Sequence, residues 1–265
     1  MRVSRKKVFI FLYIGAGCIL LMIPSMGSRL GRAAQNRVIQ AHTEAVMTQD
    51  QKATEEAWKA AQAYNARIAG GVPPAVSQAD YQAFLNVEGN GVMGYLEIPA
   101  LGLRVPIGHG LSEKVLRKGA GHMENTALPV GSMGCHTVLA GHNGLVESEI
   151  FTHLDQLKTK DVFYIFVLGH RLAYRVDQVA VVEGDAAWKP ETAADKSYTT
   201  LVTCVPRGIN SHRLLVRGAL LPSGADTQMD EGAGNVRGFD ARYMFLILAG
   251  IAVLVGCRRF SRLKG

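Results

Sequence analysis

The chain has 265 residues and a formal net charge of +7, which allows one domain of about 130 to 200 residues plus flanking segments. Residues 1–7 and 258–265 each hold four basic side chains and no acid, so subtracting their combined +8 leaves −1 for the rest of the chain. A high isoelectric point often indicates a nucleic-acid-binding surface, but a basic excess confined to the two ends excludes that class of partner here.

Two apolar stretches lie just inside the basic ends and predict two membrane spans. Residues 8–27 contain no charged side chain and are long enough to cross a bilayer; the alternative is a cleaved signal peptide. Residues 243–257 number only fifteen, about 22 Å of helix, so snorkelling of Arg242 and Arg258 or local thinning must close the gap. The basic tails then place both termini in the cytoplasm and the middle of the chain outside.

Composition divides the N-terminal part of the chain further. Residues 1–28 form the basic tail and first anchor. Residues 29–71 are rich in Ala, Gln and Glu and lack Pro, which favours two helices over 29–47 and 50–68. We interpret these helices as a spacer that lifts the next domain off the membrane; the alternative is a partner-binding arm. Residues 72–86 form a polar connecting loop.

Residues 87–222 are expected to form a mainly β domain with short helices. Short apolar runs, separated by Gly, Pro or Asn, predict strands over 92–98, 103–108, 136–141, 162–168, 171–182, 198–204 and 212–220. Helical turns are expected over 112–118 and 149–157. Many short strands with little helix are typical of a closed or nearly closed barrel. A Gly-, Ala- and Asp-rich linker over 223–241 leads to the second span and its basic tail, 242–265.

The segment TLVTCVP over 200–206 is the candidate reactive site. Cys204 ends a β-branched run that Pro206 stops, and a short loop leads to a second run with Arg213 near its start. This pattern predicts a thiol and a guanidinium side by side at the ends of two neighbouring strands. Arg217 has the same strand parity as Arg213 but lies farther from the loop that follows Cys204.

A thiol needs a base or a nearby positive charge to act as a nucleophile. The segment HTVLAGH over 136–142 ends an apolar run with His142, the candidate base. His136 has the same strand parity, and His212 would face away from its neighbour Arg213 on a regular strand. Cys135 is seven positions from His142 and faces the other side, so we interpret it as a buried small hydrophobic residue. Only two cysteines lie between the spans, which excludes a disulfide framework.

Three segments together resemble the signature of the sortases, the cell-wall transpeptidases of Gram-positive bacteria: TLVTC over 200–204, HTVLAGH over 136–142 and NSHRLLVRG over 210–218. The residues of these segments, together with GNGVMGYLEIP over 89–99, are most similar to class C, the pilus-assembling sortases. The resemblance covers about residues 86 to 220 and implies the eight-stranded sortase β-barrel.

The resemblance also implies a role for each site residue. Cys204 would attack an LPxTG-like sorting signal between Thr and Gly and form a thioester. His142 would protonate the leaving amine and deprotonate the incoming one, which in class C is a pilin lysine. Arg213 would stabilise the oxyanion and hold the substrate, and Thr203 and Leu201 would shape or support the pocket. No metal or other cofactor is expected.

In class C sortases the region before the barrel holds a lid, whose Asp-Pro-aromatic tip plugs the active site. The loop over 72–86 has no Asp-Pro pair, and its nearest candidate is Asp80-Tyr81. We expect Asp80 to pair with Arg213 and Tyr81 to cover Cys204, loosely because the stiff proline is missing. The alternative is an ordinary connecting loop.

The expected partners are the membrane and pilins or other surface proteins that carry LPxTG-like sorting signals. Two other functions stay open at this point. One is a sortase that anchors monomeric surface proteins to peptidoglycan, and the other is a non-catalytic, double-anchored surface scaffold.

Overall fold

The computed structural model describes residues 30–71, 76–144, 149–184 and 188–222, together with positions 13 and 17. Apart from those two positions, both predicted spans and the 223–241 linker lie outside the described residues. Within the described ranges, no helix combines the length and the apolar character needed to cross a membrane.

Eight strands in the described residues close into a barrel, preceded by two long helices and one short helix. The long helices are α1 over 30–48 and α2 (Gln51–Ala69). The strands are β1 (Val92–Ile98), β2 (Leu103–His109), β3 (Ala120–His122), β4 (Cys135–Ala140), β5 (Val162–Val167), β6 (His170–Glu183), β7 (Ser197–Val205) and β8 (His212–Leu220). Two short helices, α3 (Gln78–Ala83) and α4 (Glu113–Leu116), and 3₁₀ turns at Pro99–Leu101 and Leu154–Gln156 complete the described elements.

The barrel closes in the order β1-β2-β3-β4-β7-β8-β6-β5. The pairs β2–β3 and β4–β7 are parallel, and the other neighbouring pairs are antiparallel. A parallel pair cannot be joined by a tight hairpin; β2 and β3 are connected through α4, and β4 and β7 are connected through the 3₁₀ turn Leu154–Gln156 and the strands β5 and β6. β4 therefore lies beside β7, although the paired residues Cys135 and Ser197 are 62 positions apart in the sequence.

The inward faces of the strands fill the barrel with apolar side chains. Members of this core that are fully buried include Met93, Leu96, Ile107, Leu139, Phe163, Ile165, Tyr174, Leu201 and Val216. Phe163 and Tyr174 stack with ring centroids 5.4 Å apart. A Cβ atom at Gly218 would lie 2.6 Å from the Phe163 ring, so β8 needs a glycine where the two rings pack.

The predicted strands agree with the structure to within about a residue at each end, but one strand was missed. β3 has only three residues, too few to show the two-residue alternation by which a strand is predicted. The barrel of the described residues therefore has one strand more than the seven runs identified above.

The two N-terminal helices pack on the barrel. Asn65 of α2 is fully buried; its Nδ2 donates to Leu128 O at 2.9 Å, and its Oδ1 accepts from Leu128 N at 2.7 Å. Trp58 stacks on His170 with a centroid separation of 4.0 Å. Gln35 of α1 donates from Nε2 to Lys118 O at 3.3 Å. The segment expected to act as a spacer is thus in direct contact with the barrel.

Candidate active site

Cys204 and Arg213 are direct cross-strand partners near the ends of β7 and β8. In an antiparallel pair, direct partners project from the same face with Cβ atoms about 5 Å apart. β7 is buried as far as Thr203, and both Cys204 and Arg213 are partly exposed. The pairing brings a thiol and a guanidinium together at the surface of the barrel.

His142 follows the end of β4, the strand on the other side of β7. Ala140 is opposite Val202 in the parallel pair, and Gly141 N donates to Val202 O at 3.0 Å. Since the two strands advance together, His142 lies level with Cys204 two positions later. The backbone of His142 is fixed from outside the sheet, because Phe151 N donates to His142 O at 3.0 Å.

Two side-chain hydrogen bonds tie the end of β4 to the end of β7. Thr203 Oγ1 donates to Gly141 O at 2.7 Å, and Asn143 Nδ2 donates to Cys204 O at 2.8 Å. Thr203 is buried, so its hydroxyl makes this bond away from competing water. His142 thus lies between two residues, Gly141 and Asn143, that are each hydrogen-bonded to β7.

Arg213 is braced by its own loop. Its Nη1 donates to Asn210 O at 2.9 Å and to His212 O at 3.1 Å. The two bonds fix the orientation of the planar guanidinium, whose donors are arranged in a rigid fork. The side chain is therefore held in one orientation by the loop that joins β7 to β8.

His142 also contacts an acid that the sequence analysis did not identify. Its Nε2 lies 3.1 Å from Glu113 Oε2, and Arg117 Nε lies 2.8 Å from Glu113 Oε1. The hydrogen bond with His142, supported by Arg117, lowers the pKa of the Glu113 carboxyl below its usual value.

A small apolar cluster and an adjoining cavity lie on the face of the sheet that carries Cys204, and we call the two together the groove. Its floor is a small apolar cluster of Val138, Val202 and Leu215, which have the same strand parity as His142, Cys204 and Arg213 respectively. Trp188 and Val182 pack against this cluster. A cavity of about 230 Å³, lined in part by Trp188 and Leu215, continues the groove.

Arg217 closes the far end of the groove and is held there by acids. It makes a two-pronged contact with Asp177, Nε to Oδ1 at 3.0 Å and Nη2 to Oδ2 at 3.1 Å, and its Nη1 contacts Glu191 Oε2 at 3.0 Å. Its guanidinium also lies 4.5 Å from the Tyr198 ring centroid. Arg217 is therefore part of the groove wall, four positions along β8 from Arg213.

His136 lies beside this wall and not at the reactive end. Its Nε2 is 2.7 Å from Thr200 Oγ1, and its Nδ1 donates to the backbone oxygen of Glu191. Burial lowers the pKa of His136, which favours a neutral ring with a structural role. Cys135 is buried as expected, with Sγ 3.4 Å from Asn65 O, and burial raises the pKa of its thiol.

Leu201 does not line the groove. It is fully buried in the core inside the barrel, because its odd position on β7 faces away from the side that carries Cys204. Leu201 can support the strand from behind, but the expectation that it shapes a substrate pocket directly is corrected by its direction. Thr203 also faces inward and acts through its bond to Gly141.

The prediction that Asp80 and Tyr81 cover the active site is wrong. Asp80 lies in the first turn of α3, where its Oδ2 accepts from Ser77 Oγ at 2.7 Å. Tyr81 is buried in the core, and its hydroxyl contacts His122 Nδ1 at 2.8 Å and accepts from Gly110 N at 3.1 Å. The Tyr81 ring is therefore part of the core, and its hydroxyl is paired there. Of the remaining lid segment, 72–75 lies outside the described residues.

Sequence reasoning missed Asn143 and Glu113. Asn143 directly follows the candidate base, so the sequence shows that it lies near His142. Its bond to Cys204 O could not be predicted, because that bond depends on the parallel β4–β7 pairing. Glu113 lies 29 positions from His142 in a helix of four residues, and no motif marks it. In the described residues, no group of three or more His, Cys, Asp or Glu is arranged to hold a metal ion.

Comparison with known proteins agrees with this fold. The sortase domain model matches residues 96–221. Sortase A of Bacillus anthracis is 32% identical over 131 residues, which cover 49% of this chain and 60% of that protein. Sortase C1 of Streptococcus agalactiae superposes with a TM-score of 0.67 at 36% identity, covering 70% of this chain and 98% of that structure. Sortase C of Streptococcus pneumoniae gives a TM-score of 0.63 at 41% identity over 70% of this chain and 97% of that structure.

The chain belongs to the sortase family, whose members are cysteine transpeptidases. The solved structures that it resembles are sortase C structures, and this places it with the class C, or pilin-type, sortases. The chain covers 60% of the length of the curated Bacillus anthracis relative.

Proposed function

We propose that this chain is a membrane-anchored transpeptidase that cleaves an LPxTG-like sorting signal between Thr and Gly and joins the new acyl group to a pilin lysine. The observation that carries the proposal is the cross-strand pairing of Cys204 with Arg213, with His142 level with both at one end of an apolar groove. Similarity to sortase C of Streptococcus pneumoniae, whose crystal structure gives insights into pilin substrate specificity, supports the choice of substrate class.

In the first half of the reaction, the Cys204 thiol gives its proton to His142, and the resulting thiolate attacks the carbonyl carbon of the signal's threonine. Arg213 donates to the oxyanion that forms, and its braced guanidinium needs little reorganisation to do so. The Thr–Gly C–N bond breaks, and the glycine nitrogen leaves with a proton from His142. The products are a threonyl thioester on Cys204 and a free peptide that begins with glycine.

In the second half, the acceptor amine attacks the thioester carbonyl. His142 takes a proton from the amine as the new C–N bond forms, and the C–S bond breaks to return the Cys204 thiolate. With a lysine side chain as acceptor, the product is an isopeptide bond. Both halves use the same three side chains, so the groove must stay open to the acceptor while the thioester is present.

The apolar groove suits the first residues of the sorting signal. An extended peptide advances about 3.3 Å per residue, so the Leu-Pro part lies roughly 7 to 10 Å from the threonine carbonyl. Leu215 lies two positions along β8 from Arg213 and pairs with Val202, about the same distance away. We assign Val138, Val202, Leu215 and Trp188 to binding of this apolar pair.

The acceptor is tested by supplying two amines in competition. The full chain is incubated with a sorting-signal peptide, a pilin-derived peptide with one lysine, and a peptidoglycan cross-bridge peptide with a free amino terminus. Mass spectrometry should show ligation to the lysine peptide. Ligation to the cross-bridge peptide alone would support the cell-wall-anchoring alternative, and the absence of both cleavage and ligation would support the scaffold.

The membrane topology is a separate part of the proposal. Two spans, over 8–27 and 243–257, are flanked by basic tails, which supports cytoplasmic termini and an extracellular catalytic barrel. Protease added to intact protoplasts should digest the barrel and spare tags at both ends. Digestion of the C-terminal tag would mean that residues 243–257 do not span.

A further inference from the structure

We propose that Glu113 is a positioning residue for the base: its carboxylate fixes the His142 ring so that Nε2 carries the proton and Nδ1 is free for proton exchange at the reactive centre. The contact joins His142 Nε2 to Glu113 Oε2 at 3.1 Å. The inference rests on the proposed function for its catalytic consequence and adds a fourth residue to Cys204, His142 and Arg213.

The chemistry of the two partners determines which ring nitrogen carries the proton. An ionised carboxylate can only accept hydrogen bonds, so a bond at Nε2 requires an Nε2–H. A neutral imidazole has one N–H, and the other nitrogen, Nδ1, then keeps its lone pair. A base that is oriented by a third group is a recurring arrangement in covalent catalysis.

The carboxylate is itself held in place. Arg117 Nε lies 2.8 Å from Glu113 Oε1, which leaves Oε2 directed at His142. Glu113 and Arg117 are four positions apart on α4 and its C-cap, so one helical turn sets their separation. The arginine also supplies the positive charge that keeps the acid ionised, in agreement with the lowered pKa of Glu113.

The helix that carries Glu113 is fixed to the barrel and to α1. A Cβ atom at Gly108 of β2 would lie 2.8 Å from Val115 Cγ1, so the glycine allows α4 to sit directly on the strand. Gln35 Nε2 of α1 donates to Lys118 O, just past the end of α4, at 3.3 Å. These contacts give Glu113 a defined position although its side chain is exposed.

The contact with Glu113 restrains the orientation of the His142 ring. The hydrogen bond from Phe151 N to His142 O fixes the backbone, but the ring can still rotate about its side-chain bonds. A contact at Nε2 restricts that rotation. Because the side chain of Glu113 is 59% exposed, water weakens the contact, and the expected effect on rate is modest.

The test uses the full chain in detergent and compares Glu113→Ala, Glu113→Gln and, as the matched control, Lys114→Ala on the same exposed helix. With a sorting-signal peptide, Glu113→Ala should lower kcat about three- to tenfold and leave KM within twofold. In Glu113→Gln the amide oxygen can still accept from Nε2, so kcat should fall less than in Glu113→Ala. The kcat of Lys114→Ala should match that of the parent chain.

A second readout does not depend on activity. Ring ¹⁵N chemical shifts of His142, assigned by loss of the signal in His142→Ala, should show the Nε2–H tautomer in the parent chain and in Glu113→Gln, and a mixture of tautomers in Glu113→Ala. The inference is overturned if Glu113→Ala keeps kcat within twofold, raises it, or leaves the tautomer unchanged. If the parent chain does not act on the peptide, the proposed function fails, and the ¹⁵N shifts alone still decide the role of Glu113.

Discussion

Arg213 combines a charge with a geometry that only a guanidinium provides. Its Nη1 donates to the backbone oxygens of Asn210 and His212, which holds the rest of the planar fork in one orientation. Cys204, His142 and Arg213 could be predicted from sequence because reactive residue types stand at strand ends with typical neighbours. Tyr81 could not be placed, because its partner His122 is 41 positions away in the strand that the pattern did not reveal.

We predict that Arg213→Lys lowers kcat about a hundredfold, even though the charge is kept. Loss of one oxyanion donor typically costs this much, and an ammonium cannot brace against the loop and contact the oxyanion together. Steady-state cleavage of a sorting-signal peptide measures the change. The control is Arg104→Lys, since Arg104 pairs with Glu97 between β1 and β2. A Lys variant at 213 within about threefold of the parent would show that the fork is not used.

We predict that Tyr81→Phe destabilises the fold and leaves access to Cys204 unchanged. The substitution removes the hydroxyl that joins Gly110 N to His122 Nδ1, and unpaired buried groups cost about 1 to 3 kcal/mol. Urea unfolding measures the loss, and labelling of Cys204 with a small thiol reagent measures access. A tenfold rise in labelling rate without loss of stability would restore Tyr81 to a lid.

His122 makes the stability of the barrel depend on pH. Burial lowers its pKa from 6.5 to about 4, and its Nε2–H donates to Ala127 O at 2.9 Å, as a neutral ring allows. Between these two pH values the unfolded chain binds a proton at His122 and the folded chain does not. Stability is therefore complete above pH 6.5 and falls as the pH drops, by about 1.4 kcal/mol per pH unit.

We predict that the free energy of unfolding is about 2 kcal/mol lower at pH 5 than at pH 7. His42 and His136, whose pKa values burial also lowers, act in the same direction. Urea titrations at the two pH values measure the difference. Equal stability at pH 5 and pH 7 would mean that His122 can be protonated without unfolding.

At the scale of elements, the junction between β4 and β7 decides the geometry of the site. The two strands are parallel neighbours, and their ends are joined by Thr203 to Gly141 O and by Asn143 to Cys204 O. Seven of the eight strands could be predicted from apolar runs that are separated by Gly, Pro or Asn residues. Their pairing could not, because a crossover connection sets it and the short strand β3 lies between β2 and β4.

We predict that Thr203→Val lowers kcat about fivefold and destabilises the fold by about 1 kcal/mol, the usual worth of one hydrogen bond. The valine keeps the shape of the side chain and loses the 2.7 Å bond that holds the histidine end of β4. The matched control is Thr137→Val, a buried threonine on β4 with a longer bond, 3.4 Å, to Leu128 O. Equal effects of the two variants on kcat would mean that Thr203 serves stability alone.

At the scale of the whole molecule, the catalytic barrel and the two N-terminal helices are in direct contact. Asn65 of α2 bonds to Leu128 in the segment before β4, and Gln35 of α1 bonds to the turn after α4. Composition indicated the helices but could not indicate where they lie, because a polar, Ala-rich helix is equally consistent with a spacer and with a helix packed on one face. The helices therefore contact the segment before β4, the strand that leads to His142, and the turn that follows the helix of Glu113.

The proposed transpeptidase activity depends on Cys204 forming a covalent acyl intermediate. The most direct measurement is mass spectrometry of the intact chain after brief incubation with an LPxTG-type peptide and no acceptor amine. We predict that the mass increases by that of the acyl fragment ending in threonine, that hydroxylamine removes the adduct, and that Cys204→Ala shows no adduct while Cys135→Ala still does. Peptide cleavage by Cys204→Ala, or an adduct on Cys135, would contradict the account.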